Sequence, residues 1–143
     1  MKQKAQTTSF YVETLLLIAV FVAIILGLTQ IFGLAEAESS RSEQLTGAVM
    51  LAENAAEAVS ASRSAGELCA LLDEGGSARL EGSGVSARYG ADLRPDPAGP
   101  YELRVSWEPE AGGLVNSAIE VLWEGRGLYT LQTAVFCGEE AGR

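Results

Sequence analysis

A long uncharged segment near the N-terminus constrains this chain more than any other feature. No charged residue lies between Glu13 and Glu36, and the residues from Thr14 to Ala35 are mostly Leu, Ile, Val, Phe and Ala. A helix needs roughly 20 such residues to cross about 30 Å of hydrocarbon. We therefore expect this segment to be inserted in a membrane as a single helix.

The charges on either side of the segment predict its orientation. Lys2 and Lys4 precede it, whereas Glu36 and Glu38 follow it and the next basic residue is Arg41. Basic flanking residues are retained on the cytoplasmic side of a membrane. We expect a single-pass protein of the cell membrane with a cytoplasmic N-terminus and an extracellular C-terminal domain.

The chain then divides into three regions. Residues 1–9 form a short leader or cytoplasmic segment, residues 10–35 form the transmembrane helix, and residues 36–143 form the extracellular domain. The third region has about 108 residues, which suffices for one small domain with a modest core. The whole chain has 19 acidic and 10 basic residues, and one acidic and two basic residues precede this region. The region itself therefore has 18 acidic and 8 basic residues, a net charge of −10. Nucleic acid is therefore not expected as a direct partner.

An apolar stripe at helical spacing continues beyond the membrane segment. Steps of three and four residues keep its members on one face of a helix, and no proline interrupts the chain from about Thr8 to Ala61. We expect one helix to continue to about residue 62, with its outer half packed on another element. The stripe consists of Leu45, Val49, Ala52, Ala56 and Val59, with Ala48 and Ala55 beside it.

A second, shorter helix is predicted over residues 65–74. Ser64 and Glu67 have the spacing of a capping box, in which two side chains satisfy exposed amides at the start of a helix. Leu68, Leu71 and Leu72 follow, and Gly75-Gly76 is expected to end the helix.

The pattern changes to a period of two after the second helix. Alternation over Tyr101–Trp107 indicates the clearest strand, and a weaker strand is predicted over Gly84–Tyr89. Alternation on both sides of Glu124–Gly127 predicts a hairpin between Ala118–Glu124 and Leu128–Phe136. With Pro109–Gly113 as a turn, antiparallel strands within residues 84–136 and the long helix make an α+β fold.

The residues offer little for catalysis. The chain has no histidine, no nucleophile elbow and no phosphate-binding loop, so we expect no enzymatic activity and no cofactor. Cys69 and Cys137 are compatible with a disulfide in an oxidising exterior and also with two buried free thiols. Two cysteines without histidine do not complete a usual zinc site, so no metal is expected.

Glu13 is the sharpest candidate for a functional residue. A carboxylate centred in a bilayer costs about 2.5 kcal/mol or more, so it requires either a partner or a position outside the hydrocarbon. In one interpretation Glu13 lies at the cytoplasmic headgroups, near the favourable N-terminal end of the helix. In the other, it pairs with a cationic N-terminus of a neighbouring helix during assembly.

A set of N-terminal features is typical of a known family. The set comprises a short lysine-bearing leader and Phe10-Tyr11-Val12-Glu13, Leu15–Phe32, Ala35–Ser39, Gln44-Leu45, Ala48-Val49 and Leu51–Glu57. In these features the N-terminal helix resembles that of type IV pilin-like proteins, with the closest likeness to the minor pseudopilins of type II secretion, type IV pili and Gram-positive competence systems. The resemblance implies a protruding hydrophobic helix whose second half packs on a small antiparallel sheet, in a lollipop arrangement.

The resemblance also implies function. A membrane-embedded prepilin peptidase would remove the leader, and the apolar helices would then bundle into a filament. Glu13 would form an ion pair with the N-terminal amine of an adjacent subunit. Cleavage between Ser9 and Phe10 gives the customary aromatic first residue but makes Glu13 the fourth residue. Cleavage between Thr8 and Ser9 makes Glu13 the fifth residue, as in the family, but the mature chain then begins with serine.

Two other interpretations of the N-terminal region stay open. Ala35-Glu36-Ala37 has the small-x-small form of a signal-peptidase site, and cleavage there would release an acidic extracellular binding domain that starts near Glu38. An uncleaved single-span anchor could instead carry a sensor or adhesive domain, and Glu13 would then have no special role.

Overall fold

The computed structural model describes residues 2–138, with side chains from residue 8 onward. Met1 and residues 139–143, which fall in the expected leader and extracellular domain, lie outside the described part. The chain divides after Arg41 into two compact units. The elements are α1 Lys2–Ala61, α2 Ala65–Leu72, β1 Ala78–Glu81, β2 Gly84–Tyr89, β3 Tyr101–Ser106, β4 Glu108–Pro109, β5 Leu114–Trp123 and β6 Arg126–Phe136.

The first unit is helical throughout its described residues, and two of its threonine hydroxyls bond within the helix. The hydroxyl of Thr14 donates to the carbonyl of Phe10, and that of Thr29 to the carbonyl of Ile25, both at 2.9 Å. An α-helix also pairs its interior backbone groups with one another. This is the condition that hydrocarbon imposes on a spanning segment, because no water is there to replace a missing bond.

In the second unit the outer part of α1 packs on the sheet, which confirms the predicted α+β fold. The residues that face the sheet are mostly alanine, and their small side chains allow a close approach. They are shifted by about one position from the predicted stripe, since Leu45 is exposed whereas Val49 and Ala56 are half-buried. The fully buried helix residues are Ala48, Leu51, Ala52, Ala55 and Val59.

The start of α2 confirms the predicted capping pair. The amide of Glu67 donates to Oγ of Ser64 at 3.2 Å, while Oε2 of Glu67 accepts from the amide of Arg63 at 2.8 Å. In the usual capping box the glutamate accepts the amide of the N-cap residue, which is Ser64 here. In this structure it accepts the amide of the preceding residue, Arg63. Leu68 and Leu72 are the buried residues of this short helix.

The end of α2 differs from the predicted one, because the helix stops at Leu72 and does not reach residue 74. Asp73 leaves the helical conformation, with φ −86 and ψ 49, and its Oδ1 accepts the amide of Ala78 at 3.2 Å. The aspartate therefore closes the turn into β1 before the glycine pair is reached. Gly75 and Gly76 continue this turn with positive φ.

The strands form one antiparallel sheet. The order is β1-β2-β3-β5-β4, with β6 paired on the other side of β5. Both β3 and β4 pair with β5, at Val105↔Ile119 and Glu108↔Asn116. They therefore act as one strand with a bend at Trp107, where the hydroxyl of Ser106 accepts the amide of Ala118 at 2.8 Å.

Two parts of the sheet correct the predictions. β1 lies before the predicted range of strands. Its four residues alternate apolar and charged, but the segment is short and three of its four side chains are exposed. Pro109, predicted as the first turn residue, instead belongs to β4 and pairs with Val115. The turn begins at Glu110, whose amide donates to the carbonyl of Leu114 at 2.7 Å. The predicted hairpin is confirmed as β5 and β6, but β5 already begins at Leu114 and the turn is only Glu124 and Gly125, since Arg126 and Gly127 pair with β5.

Tyr101 fixes the distance between α1 and the sheet. Its hydroxyl donates to the carbonyl of Gln44 on α1 at 3.0 Å, and its ring meets Trp123 edge-on with centroids 4.6 Å apart. Gly47 lies directly beneath it. A Cβ added at Gly47 would collide with the Tyr101 hydroxyl and come within 3.1 Å of Cδ2 of Leu93. The helix therefore needs glycine here for close approach.

We predict that Gly47→Ala destabilises the globular unit although alanine is the better helix former. Overpacking costs about 1–3 kcal/mol, which exceeds the helix-propensity gain of about 1 kcal/mol. The test is thermal unfolding of the full chain in detergent, followed by the fluorescence of Trp107 and Trp123. Gly66→Ala is the matched control, because only Oγ of Ser64, at 3.9 Å, lies near its added Cβ. Equal melting temperatures for the two variants would contradict the account.

Burial of its ring raises the pKa of the Tyr101 hydroxyl above the usual 10.0, and Glu43 adds a smaller contribution of the same sign. The folded chain then keeps this proton at a pH where the unfolded chain loses it. The resulting stability is fully present below pH 10.0 and is lost as the pH rises through the pKa of the folded state.

We therefore predict that Tyr101→Phe lowers stability at neutral pH and flattens its decline in alkali. Removing the hydroxyl costs about 1 kcal/mol, the usual net value of a hydrogen bond. The pKa of Tyr89 is also raised, by burial and by Glu74, so the decline shrinks in the variant but does not vanish. Denaturant titrations at several pH values measure it, and an unchanged alkaline slope would refute the prediction.

Candidate functional site

The apolar surface of the first unit is the largest feature that the fold leaves without intramolecular contacts. One helix of the described residues is long and apolar enough to cross a membrane, and none of its most apolar window is buried. Large side chains point outward on all sides of the helix. The ones that are more than three-fifths exposed include Phe10, Leu15, Phe21, Ile31, Phe32 and Leu34.

Glu13 is exposed at the start of this surface. Among the described side chains, no ion pair includes it. The nearest basic residues in sequence are Lys4 and Arg41, which at 1.5 Å per residue lie about 14 Å and 42 Å away along the helix axis. A cation in contact with Glu13 would therefore have to come from another molecule or from the aqueous boundary.

The three candidate cleavage residues lie within the helix. Thr8, Ser9 and Phe10 belong to α1, which begins at Lys2, so both predicted scissile bonds are helical in the structure. The ring of Phe10 meets that of Tyr11 edge-on, with centroids 6.3 Å apart. These positions are contiguous with Glu13 on the same helix, and the structure leaves both cleavage registers open.

Cys69 and Cys137 are two free thiols in the structure, and both are half-buried. Cys69 lies on α2 and Cys137 follows β6, and each packs against the edge of the core. The thiol of Cys137 donates a weak hydrogen bond to the carbonyl of Ser62, with sulfur and oxygen 3.7 Å apart. Their pairing as a disulfide stays a prediction.

The outer face of the sheet carries a charged row that the sequence analysis did not single out. Glu102 accepts from Arg104 at 2.7 Å and from Arg88 at 3.4 Å. The sequence did contain a signal for this row. The alternation in the segment Tyr101–Trp107 places Glu102 and Arg104 together on the polar side of β3. Both arginines are about half exposed, so these pairs stabilise the fold by no more than about 1 kcal/mol each.

No protein-family model, curated protein or solved structure matches this chain. Its function is therefore inferred from its own residues. In residues 8–138 no group of three or more cysteine or acidic residues is arranged to hold a metal ion. The membrane-compatible helix surface with Glu13 at its start is the candidate site that geometry and charge favour.

Proposed function

We propose that this chain is a non-catalytic minor pilin or pseudopilin subunit that assembles through its N-terminal helix into a type IV pilus-like, type II secretion or competence filament. The observation that carries the proposal is a single helix, Lys2–Ala61, in which residues 14–35 are apolar and exposed and residues 42–61 bury one face in a globular unit. Its partners would be the membrane, other pilin-like subunits and a prepilin peptidase.

Glu13 supplies the specific contact in this proposal. After removal of the leader at Thr8, Ser9 or Phe10, a neighbouring subunit would present a free N-terminal amine at nearly the same depth in the membrane. The amine and the carboxylate would neutralise each other where neither has water. The desolvation of both groups offsets much of the attraction, so the pair would fix the register of the helices more than it strengthens their association.

The exposed apolar surface supports assembly by the same physical reasoning. Lipid tails are as apolar as leucine, so helix association in a membrane depends on packing and on polar contacts. A lone carboxylate is such a polar contact. A plain membrane anchor has the same apolar length but gives Glu13 nothing to bind, and a secreted acidic binding domain would lose this part of the helix altogether.

We predict that Glu13→Gln lowers incorporation of the full-length chain into filaments at least about tenfold, which corresponds to about 1.4 kcal/mol. The loss is expected because glutamine keeps the size of the side chain but leaves the neighbouring subunit's amine as an unpaired charge away from water, which costs more than the intact pair contributes. Incorporation is measured as the fraction of the chain in filaments sheared from native cells, relative to the fraction left in the membrane. Glu36→Gln, at the other end of the uncharged segment, is the matched control and should incorporate normally.

The melting temperature of the globular unit separates an assembly defect from misfolding. Both variants should unfold at the same temperature as the unmodified chain, because neither glutamate contacts the core. Normal incorporation of Glu13→Gln would refute the proposal and favour a plain anchor. Absence of the chain from every sheared fraction, with or without the substitution, would also count against it.

A further inference from the structure

The two edges of the sheet differ strongly in length and in charge. At one edge, β1 has four residues, of which Arg79 and Glu81 are charged. At the other, β6 has eleven residues and spans about 36 Å at 3.3 Å per residue. No charged residue lies between Arg126 and Glu139 in the sequence. Proteins usually protect an exposed edge with short strands, charges or proline, and β1 is protected in this way whereas β6 is not.

The register shows which backbone groups of β6 face away from the sheet. The amide of Ala118 donates to Ser106, so the backbone groups of Ala118 point toward β3 and β4. Its cross-strand partner Gln132 is then in a non-hydrogen-bonded pair, and its own N–H and C=O point away from β5.

The same relation repeats every second residue along β6. The carbonyl of Leu114 accepts from Glu110 and also points toward β4, so the backbone groups of its partner Phe136 face outward. Thr130 and Ala134 share this orientation by the period of two. Within the described residues, no strand pairs with this side of β6. The outward-facing residues, all with exposed side chains, are Thr130, Gln132, Ala134 and Phe136.

The core-facing side of β6 is also incompletely covered. Tyr129, Leu131 and Val135 pack against the core but stay half-buried. The corresponding residues of the neighbouring strand, such as Ile119 and Val121, are fully buried. A further strand beside β6 would cover these side chains while it satisfied the outward-facing backbone groups.

We propose that β6 is a docking edge for an extended segment of a different extracytoplasmic polypeptide, which adds to the sheet by β-augmentation. Water can bond to these exposed amides and carbonyls singly, but only another extended chain pairs with the whole row in register. The segment would alternate apolar and polar residues, with its apolar side chains continuing the layer of Leu131 and Val135. It would be neutral or basic, because the domain from residue 36 carries a net charge of −10.

A second copy of this chain fits the edge less well. Its equal negative charge would repel the first copy. Antiparallel pairing of two β6 strands in one continuous sheet also places a two-fold axis perpendicular to the sheet. That axis reverses the direction of the helix segment 42–61 that lies on the sheet. The two segments would then run in opposite directions, with their Ser42 ends on opposite sides of the two-fold axis.

The experiment is site-specific photocrosslinking of the full-length chain in its native cells, with the probe moved along β6 in two-residue steps. The series of adducts that results is called the ladder below. A photoreactive phenylalanine derivative replaces Thr130, Gln132 and Ala134 in turn, and mass spectrometry locates the crosslinked residue in the partner. We expect each two-residue step of the probe to move the adduct by two residues along one segment of another protein. The same probe at Arg104, on the same face of the central strand β3, should give no such ladder.

A proline substitution tests the backbone bonds directly. Gln132→Pro removes an N–H that makes no bond within the sheet, and proline is tolerated on an edge strand in this orientation. We expect it to lower the yield of adducts from probes at residues 130 and 134 at least tenfold. Gln132→Thr keeps the N–H and should preserve that yield. Tryptophan fluorescence melting of both variants reports the fold.

Several results would overturn the proposal. These are adducts on a second copy of this chain, adducts without two-residue steps, no adducts at any of the three positions, and adducts unaffected by Gln132→Pro in a folded chain. If Gln132→Pro fails to fold, the ladder alone decides. The inference concerns the second unit only, so it stands or fails independently of assembly through Glu13.

Discussion

Close packing between a small-residue face of α1 and the antiparallel sheet is the interaction on which the globular unit depends. Ala48, Ala52 and Ala55 are fully buried, and Gly47 admits the ring of Tyr101, whose hydroxyl bonds to the helix backbone. Large helix residues would hold the sheet away and break this bond. The helix is therefore an integral part of the core, since the sheet alone would expose its buried face.

The same helix is adapted to a different environment in the first unit. There the side chains are large, apolar and exposed, and threonine hydroxyls bond back to the helix. Such a surface is compatible with hydrocarbon, and its exposure to water is unfavourable. Glu13 is the exception to this pattern, and a charge at that point requires a partner or an aqueous boundary. The proposed pilin-like assembly gives it a partner and gives the apolar surface neighbours to pack on.

Local patterns in the sequence were sufficient for most of the fold. The period of two predicted β3 and the hairpin of β5 and β6, and Ser64 with Glu67 predicted the start of α2. β1 and β4 were missed because they have only four and two residues, most of them exposed. Alternation over so few residues does not distinguish a strand from a loop. The end of α2 was misplaced because Asp73 bonds to Ala78, a contact between elements that spacing does not reveal. The free edge of β6 required the register, which places Gln132 opposite Ala118.

The most direct test of the proposed function is the mature N-terminal residue of the chain recovered from its native cells, measured by mass spectrometry of the terminal peptide. Pilin-like processing predicts a start at Ser9 or Phe10, which would also settle whether Glu13 is the fifth or the fourth residue. An intact Met1 would contradict processing and favour a plain anchor. A start near Glu38 would contradict it in favour of a secreted domain, because the membrane helix would have been removed.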